Sequence, residues 1–253
     1  MKKKKYLIFN FKSAVLTKEK RKKIYQIFNN AKQNLFSKYY FILAPSAYYF
    51  LEFSKEINQK ILFASQNIFW VNKKLVTGET PPLMIKDLKI NYTILGHSER
   101  KEFLKENEKM INLKLKSCFQ SKIIPIICLG EKEKSTDFQI KKVLFSQLNQ
   151  IFEGIILRDQ AFLLAYEPVW AIGSGLTPTI DELQKRIEII RFWLGTRFNE
   201  KVTSNTPILY GGSITEKNAE NFLKEKNIDG LLMGGLSSQP NRLEKLIKKI
   251  DAL

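Results

Sequence analysis

Phe162-Leu163-Leu164-Ala165-Tyr166-Glu167-Pro168-Val169-Trp170 decides how this chain is read. Five apolar residues without polar alternation describe a strand buried on both faces. The run stops at a carboxylate, and Pro168 then fixes φ and removes a backbone donor, so the strand ends there. Seven further runs of the same kind lie at 6–11, 39–43, 61–65, 92–95, 123–129, 207–209 and 230–233. Between them apolar residues recur at helical spacing, as in Ile24, Ile27, Phe28, Ala31 and Leu35, or Leu183, Ile187, Ile190 and Leu194. Eight strand–helix units in 253 residues predict an α/β fold, a single (β/α)8 TIM barrel over residues 1–253. An open doubly wound sheet is the alternative, because periodicity does not show closure. The pattern is weakest near Phe50 and Leu83, and no shift in composition marks a domain boundary.

Composition narrows the classes. At 44% apolar the chain is globular rather than disordered, and two cysteines, Cys118 and Cys128, make no disulfide scaffold. No apolar run approaches the roughly 18 residues of a membrane span. The basic start Met1-Lys2-Lys3-Lys4-Lys5 precedes an apolar run too short for a signal peptide, so a cytoplasmic protein with no membrane partner is expected. The formal charge of +17 raises nucleic-acid binding as a possibility. However, 35 of the 42 basic residues are Lys, and they are spread from end to end. The Lys-rich stretches 18–23, 101–116 and 245–249 sit on helical patterns and read as solvated outer faces. Arg, the bidentate reader of phosphates and bases, is scarce. Nucleic acid is therefore not an expected partner, while the positive field favours anionic small molecules.

Polar residues gather at the carboxyl ends of the strands, the rim that carries chemistry in such barrels. Lys12 follows the first run, Gln66 and Asn67 the third, and His97-Ser98-Glu99-Arg100 the fourth. Glu167 follows the sixth, Gly211-Gly212-Ser213 the seventh, and Gly234-Gly235 the eighth. His97 is the sole histidine. Alone it would read as structural; opening a polar turn at a strand end, it reads as a group that polarises a carbonyl or moves protons. One His, with Cys118 on a helical pattern and Cys128 inside a strand, leaves no zinc set, and no metal is expected. Glu167 is either an ordinary ion-pair carboxylate or a base pressed against apolar neighbours. Ala171-Ile172-Gly173-Ser174-Gly175 has the composition of a mobile lid, with hinges at 168–170 and 176–178. The late glycine pairs offer bare backbone N–H groups of the kind that cradle a phosphate, with Lys12 adding charge across the rim.

On these residues the chain is similar to the triosephosphate isomerase family. The most specific pieces are Leu95-Gly96-His97-Ser98-Glu99-Arg100, Ala165-Tyr166-Glu167-Pro168-Val169-Trp170-Ala171-Ile172-Gly173 and Tyr210-Gly211-Gly212-Ser213. The match runs from Asn10-Phe11-Lys12 to Gly234-Gly235. The resemblance implies interconversion of dihydroxyacetone phosphate and D-glyceraldehyde 3-phosphate through a cis-enediolate, in glycolysis and gluconeogenesis, without a cofactor. It implies Glu167 as the base, neutral His97 as the group on the carbonyl, and Lys12 on the negative charge. Asn10 would orient the oxygens, and the amides of Gly173, Ser213, Gly234 and Gly235 would take the phosphate. Ser98 would hold Glu167 with the lid open, Glu99 would organise Lys12 and His97, and Glu106 and Arg100 would support them. It implies a homodimer, with Thr77-Gly78-Glu79 at the tip of an interdigitating loop. Departures from the family pattern are Phe11 in place of Trp, Ser174 in place of Thr, and the second hinge Leu176-Thr177-Pro178. Pro178 stiffens that hinge and biases Thr177 away from helix. None of these departures removes a catalytic group.

Overall fold

The computed structural model describes residues 3–71 and 75–253, so Met1 and Lys2 of the basic start lie outside the described residues. The order of elements is β1 (Lys5–Asn10), α1 (Lys18–Asn29), α2 (Leu35–Lys38), β2 (Tyr39–Ala44), α3 (Phe50–Glu56), β3 (Leu62–Ser65), α4 (Pro82–Asp87) and β4 (Tyr92–Leu95). It continues with α5 (Ser98–Phe103), α6 (Glu108–Gln120), β5 (Ile124–Leu129), α7 (Asp137–Ile151), β6 (Leu163–Tyr166), α8 (Ile180–Arg197) and α9 (Glu200–Asn205). Last come β7 (Ile208–Tyr210), α10 (Ala219–Lys224), β8 (Gly230–Met233) and α11 (Pro240–Asp251). The strands form one closed parallel barrel in sequence order. Closure comes from β1 pairing with β8, Tyr6 opposite Gly230 and Phe9 opposite Met233, which eliminates the open-sheet alternative.

The weak segments near Phe50 and Leu83 become the short helices α3 and α4. The seventh strand lies one residue later than the pattern predicts. Pro207 has no N–H, and the first donor is that of Ile208, which goes to Asp229 Oδ2 at 2.9 Å. The helical pattern through Leu35 is split: α1 ends at Asn29, and Leu35 opens α2.

Strand residues alternate between two cores. Ile8, Ile126, Cys128, Leu163, Ala165, Leu209 and Leu232 fill the barrel interior. Leu7, Phe9, Leu129, Leu164, Tyr166, Tyr210 and Met233 face the helices. This period of two decides the rim, because it continues one step past the apolar residues. Asn10 follows the outward Phe9, Glu167 follows the outward Tyr166, Gly211 follows Tyr210, and Gly234 follows Met233. All four are therefore the next residues due to face the barrel axis.

The Lys-rich outer faces are solvated with one exception. Lys114, in the stretch 101–116, is only 2% exposed and pairs with equally buried Glu106 at 3.1 Å. Its ammonium also donates to Asn67 Oδ1 at 2.7 Å, and Glu106 pairs with Arg100 Nε at 2.5 Å. Burial lowers the Lys114 pKa, while Glu106 opposes the shift. This reading of residues 101–116 as wholly solvated is thus corrected: position 114 faces the Arg100–Glu106 pair rather than water.

Candidate active site

His97 caps the N-terminus of α5, and its Nδ1 accepts the N–H of Glu99 at 3.3 Å. An amide proton cannot be surrendered, so this nitrogen presents its lone pair and the neutral ring carries its proton on Nε2. The carboxylate of Glu99 lies 3.6 Å from Nδ1, outside hydrogen-bond range. Nε2 faces Glu167 Oε1 at 3.7 Å.

Glu167 is 2% exposed. Its Oε2 accepts the backbone N–H of Ser98 at 3.4 Å, so Ser98 does reach Glu167, through its amide. One layer down the barrel interior lies Cys128, whose thiol is pushed far up by burial and further by Glu167; it remains a protonated neighbour of the carboxylate. Gly211 gives Glu167 room: a Cβ there would stand 2.8 Å from Glu167 Cγ. Gly211→Ala is expected to lower kcat by about 100-fold through displacement of that side chain, with the fold retained. Steady-state kinetics beside a thermal melt checks this, and a variant of normal kcat would contradict it.

Lys12 completes the group. Its ammonium contacts Glu99 Oε1 at 2.5 Å, and its N–H donates to Asn10 Oδ1 at 3.0 Å. Its stem crosses Gly234, where a Cβ would lie 2.8 Å from Lys12 Cε. Contacts thus run from Asn10 through Lys12, Glu99 and His97 to Glu167 and Ser98. Beside them opens a cleft of about 420 Å3, lined in part by Asn10, Lys12, Gln66, His97, Glu99 and Phe103.

The phosphate candidates are less closely assembled. The N–H groups of Gly173, Gly234 and Gly235 make no hydrogen bond to another described residue. Ser213 is half-buried after β7, and its carbonyl accepts from Asn218 at 3.0 Å. Gly173 stands exposed on the lid with φ 71°, and no contact joins it to the other three among the described residues. The lid folds on itself instead, Ser174 Oγ donating to Ala171 O at 3.1 Å and accepting Leu176 N–H at 3.1 Å. Pro178 is buried and precedes Thr179, which forms a capping box with Glu182 at the start of α8, so the second hinge abuts a fixed helix end.

Glu131 was not foreseen. It is buried, and its Oε1 accepts Tyr166 Oη at 2.8 Å and Trp170 Nε1 at 2.9 Å, anchoring the first hinge to the end of β5. The only signal in sequence was a carboxylate two residues past a strand, which many surface turns share.

Comparison with known proteins gives the family. The family model described as triosephosphate isomerase matches residues 5–250. The triosephosphate isomerase of Mycoplasmoides gallisepticum is 35% identical over 250 residues, 97% of this chain and 98% of that one. That of Dehalococcoides mccartyi strain CBDB1 is 41% identical over 181 residues, 71% of this chain and 70% of its own. That of Emericella nidulans is 37% identical over 202 residues, covering 79% and 81%. With the family model matching residues 5–250 and a relative 35% identical over 97% of this sequence, the chain belongs to the triosephosphate isomerase family.

Proposed function

We propose that Glu167, His97 and Lys12 are the catalytic groups of this isomerase, on one catalytic domain spanning 1–253. The enzyme interconverts dihydroxyacetone phosphate and D-glyceraldehyde 3-phosphate through a cis-enediolate. Glu167 takes the proton from the carbon beside the carbonyl and returns it to the neighbouring carbon. His97 donates from Nε2 to the carbonyl oxygen as negative charge develops there, then serves the second oxygen. Lys12 offsets the charge of enediolate and phosphate, with Asn10 orienting the oxygens and Glu99 steadying both Lys12 and His97. The amides of Gly173, Ser213, Gly234 and Gly235 take the phosphate; for Gly173 this requires the lid to come inward. The reaction oxidises one carbon and reduces its neighbour within the same molecule, so it needs no external electron carrier, and proton transfer by these side chains carries it without cofactor or metal.

The observation that carries this reading is the Glu99 N–H on His97 Nδ1, which leaves a proton donor facing a buried carboxylate. Deuterium exchange tests it. In D2O the wild type is expected to place deuterium on the carbon of dihydroxyacetone phosphate that Glu167 deprotonates. Glu167→Gln is expected to abolish that exchange. Exchange at the wild-type rate in the variant would assign the base elsewhere.

The active species proposed is a homodimer in the cytoplasm, without nucleic-acid partners. Large apolar side chains stand in solvent on the loops and short helices following β1 to β4: Tyr48 at 97% exposed, Leu75 at 98% and Phe103 at 71%, with Val15 and Met84. An apolar surface of this kind is what a second copy would cover. Among the described residues no helix is long and apolar enough to cross a membrane. Sedimentation is expected to give a dimer; a fully active monomer would remove this part of the reading.

A further inference from the structure

Gln66, the first residue after β3, lines the cleft but has no part in the chemistry above. Its carboxamide nitrogen donates to the carbonyl of Lys12 at 2.8 Å and to that of Ala44 at 2.9 Å. Two carbonyl oxygens orient the amide, because only its NH2 side can face them. Ala44 ends β2, and its carbonyl also accepts the N–H of Phe11 at 3.1 Å. The amide therefore ties the turn after β1 to the end of β2.

Lys12 needs such a tie. Its φ is 51°, in the left-handed region that a residue with a Cβ resists. Lys89, Lys105 and Lys122 share that conformation, but each follows a helix, where the left-handed turn closes the helix end. Lys12 follows a strand and has no such helix to complete. Asn10 holds its N–H, and Gln66 holds its carbonyl. With both backbone groups fixed, the stem passes over Gly234 and the ammonium meets Glu99.

We propose that Gln66 is a positioning residue that clamps the left-handed backbone of Lys12, so that anion binding in the pocket depends on a side chain whose own donors are spent on backbone. The proposal rests on the reading of Lys12 as a substrate ligand, and the experiment separates the two. The variants are Gln66→Met, which deletes the donor, and Gln66→Glu, which keeps the shape but turns oxygen toward two carbonyls. Both are expected to raise KM for D-glyceraldehyde 3-phosphate by about tenfold, Gln66→Glu the more, with a smaller fall in kcat. Binding of inorganic phosphate, read by titration calorimetry, is expected to weaken by a similar factor.

The deciding measurement repeats Gln66→Met in a Lys12→Met background. There the second substitution is expected to change phosphate affinity by less than about twofold, because its effect passes through the missing ammonium. The same loss with and without Lys12 would make Gln66 merely structural and overturn the proposal. So would unchanged KM and phosphate affinity in both Gln66 variants while Lys12→Met alone is impaired. If Lys12→Met itself binds phosphate like the wild type, the role given to Lys12 fails, and the proposal falls with it.

Discussion

Glu167→Gln is expected to lower the isomerisation rate by about 10³- to 10⁴-fold, the upper part of what a positioned base contributes. The carboxamide has the size of the carboxylate, and its oxygen keeps an acceptor for the Ser98 N–H. What disappears is the ability to hold a proton. The amide nitrogen also brings a donor toward His97 Nε2, where the wild type presents an acceptor at 3.7 Å. A thousandfold loss corresponds to about 4 kcal/mol of transition-state stabilisation. The melting temperature should barely move, which separates lost chemistry from lost fold. Initial rates in both directions, with circular dichroism on the same preparations, provide the check. A variant within tenfold of the wild type would mean that Glu167 is not the base.

The largest effect on stability is expected at Lys114. Lys114→Met leaves the Glu106 carboxylate, 1% exposed, with Arg100 as its remaining charged partner. Breaking a buried pair on one side costs about 3–5 kcal/mol, because the orphaned charge stays desolvated. The surviving Arg100 contact places the expected value near 3 kcal/mol, a fall in Tm of roughly 6–12 °C for a chain of this size. Neutralising the partner in the same chain, as in Lys114→Met with Glu106→Gln, should cost less than the two single changes added together. Denaturant or thermal melts settle it; a single-variant cost below about 1 kcal/mol would mean water reaches the pair in the native state.

Much of the fold is legible in the sequence because strands buried on both faces leave a distinctive mark. The run 162–166 needs no neighbour to be read as such a strand, and its parity fixes where Glu167 points. Gly211 and Gly234 are less legible. Each looks like half of an ordinary glycine pair, and its reason lies in the side chain that passes it, Glu167 for one and Lys12 for the other. Lys114 is illegible for a different reason: in a chain with 35 lysines, a buried one has no local signature. Its partner Glu106 lies across a turn, and only tertiary packing distinguishes that pair from a solvated one. Gln66 could be placed at a strand end, but its two acceptors belong to β2 and to the turn after β1. Its role therefore becomes visible only once the barrel has closed.

That closure also has a consequence for how the chain is made. Tyr6 finds its partner Gly230 only after more than two hundred intervening residues have been synthesised. Until then the backbone groups on one side of β1 are open, as are those on the leading side of whichever strand emerged last. The exposed segments are apolar runs of the kind that pair readily with other chains. The first strand opens on Lys5, directly behind Lys3 and Lys4, and the chain carries a formal net charge of +17. Neighbouring unfinished chains therefore repel one another for as long as their edges are open. The lysines on the solvated faces of the finished enzyme are already present in that interval, and pairing of the last strand with the first removes the edges for good.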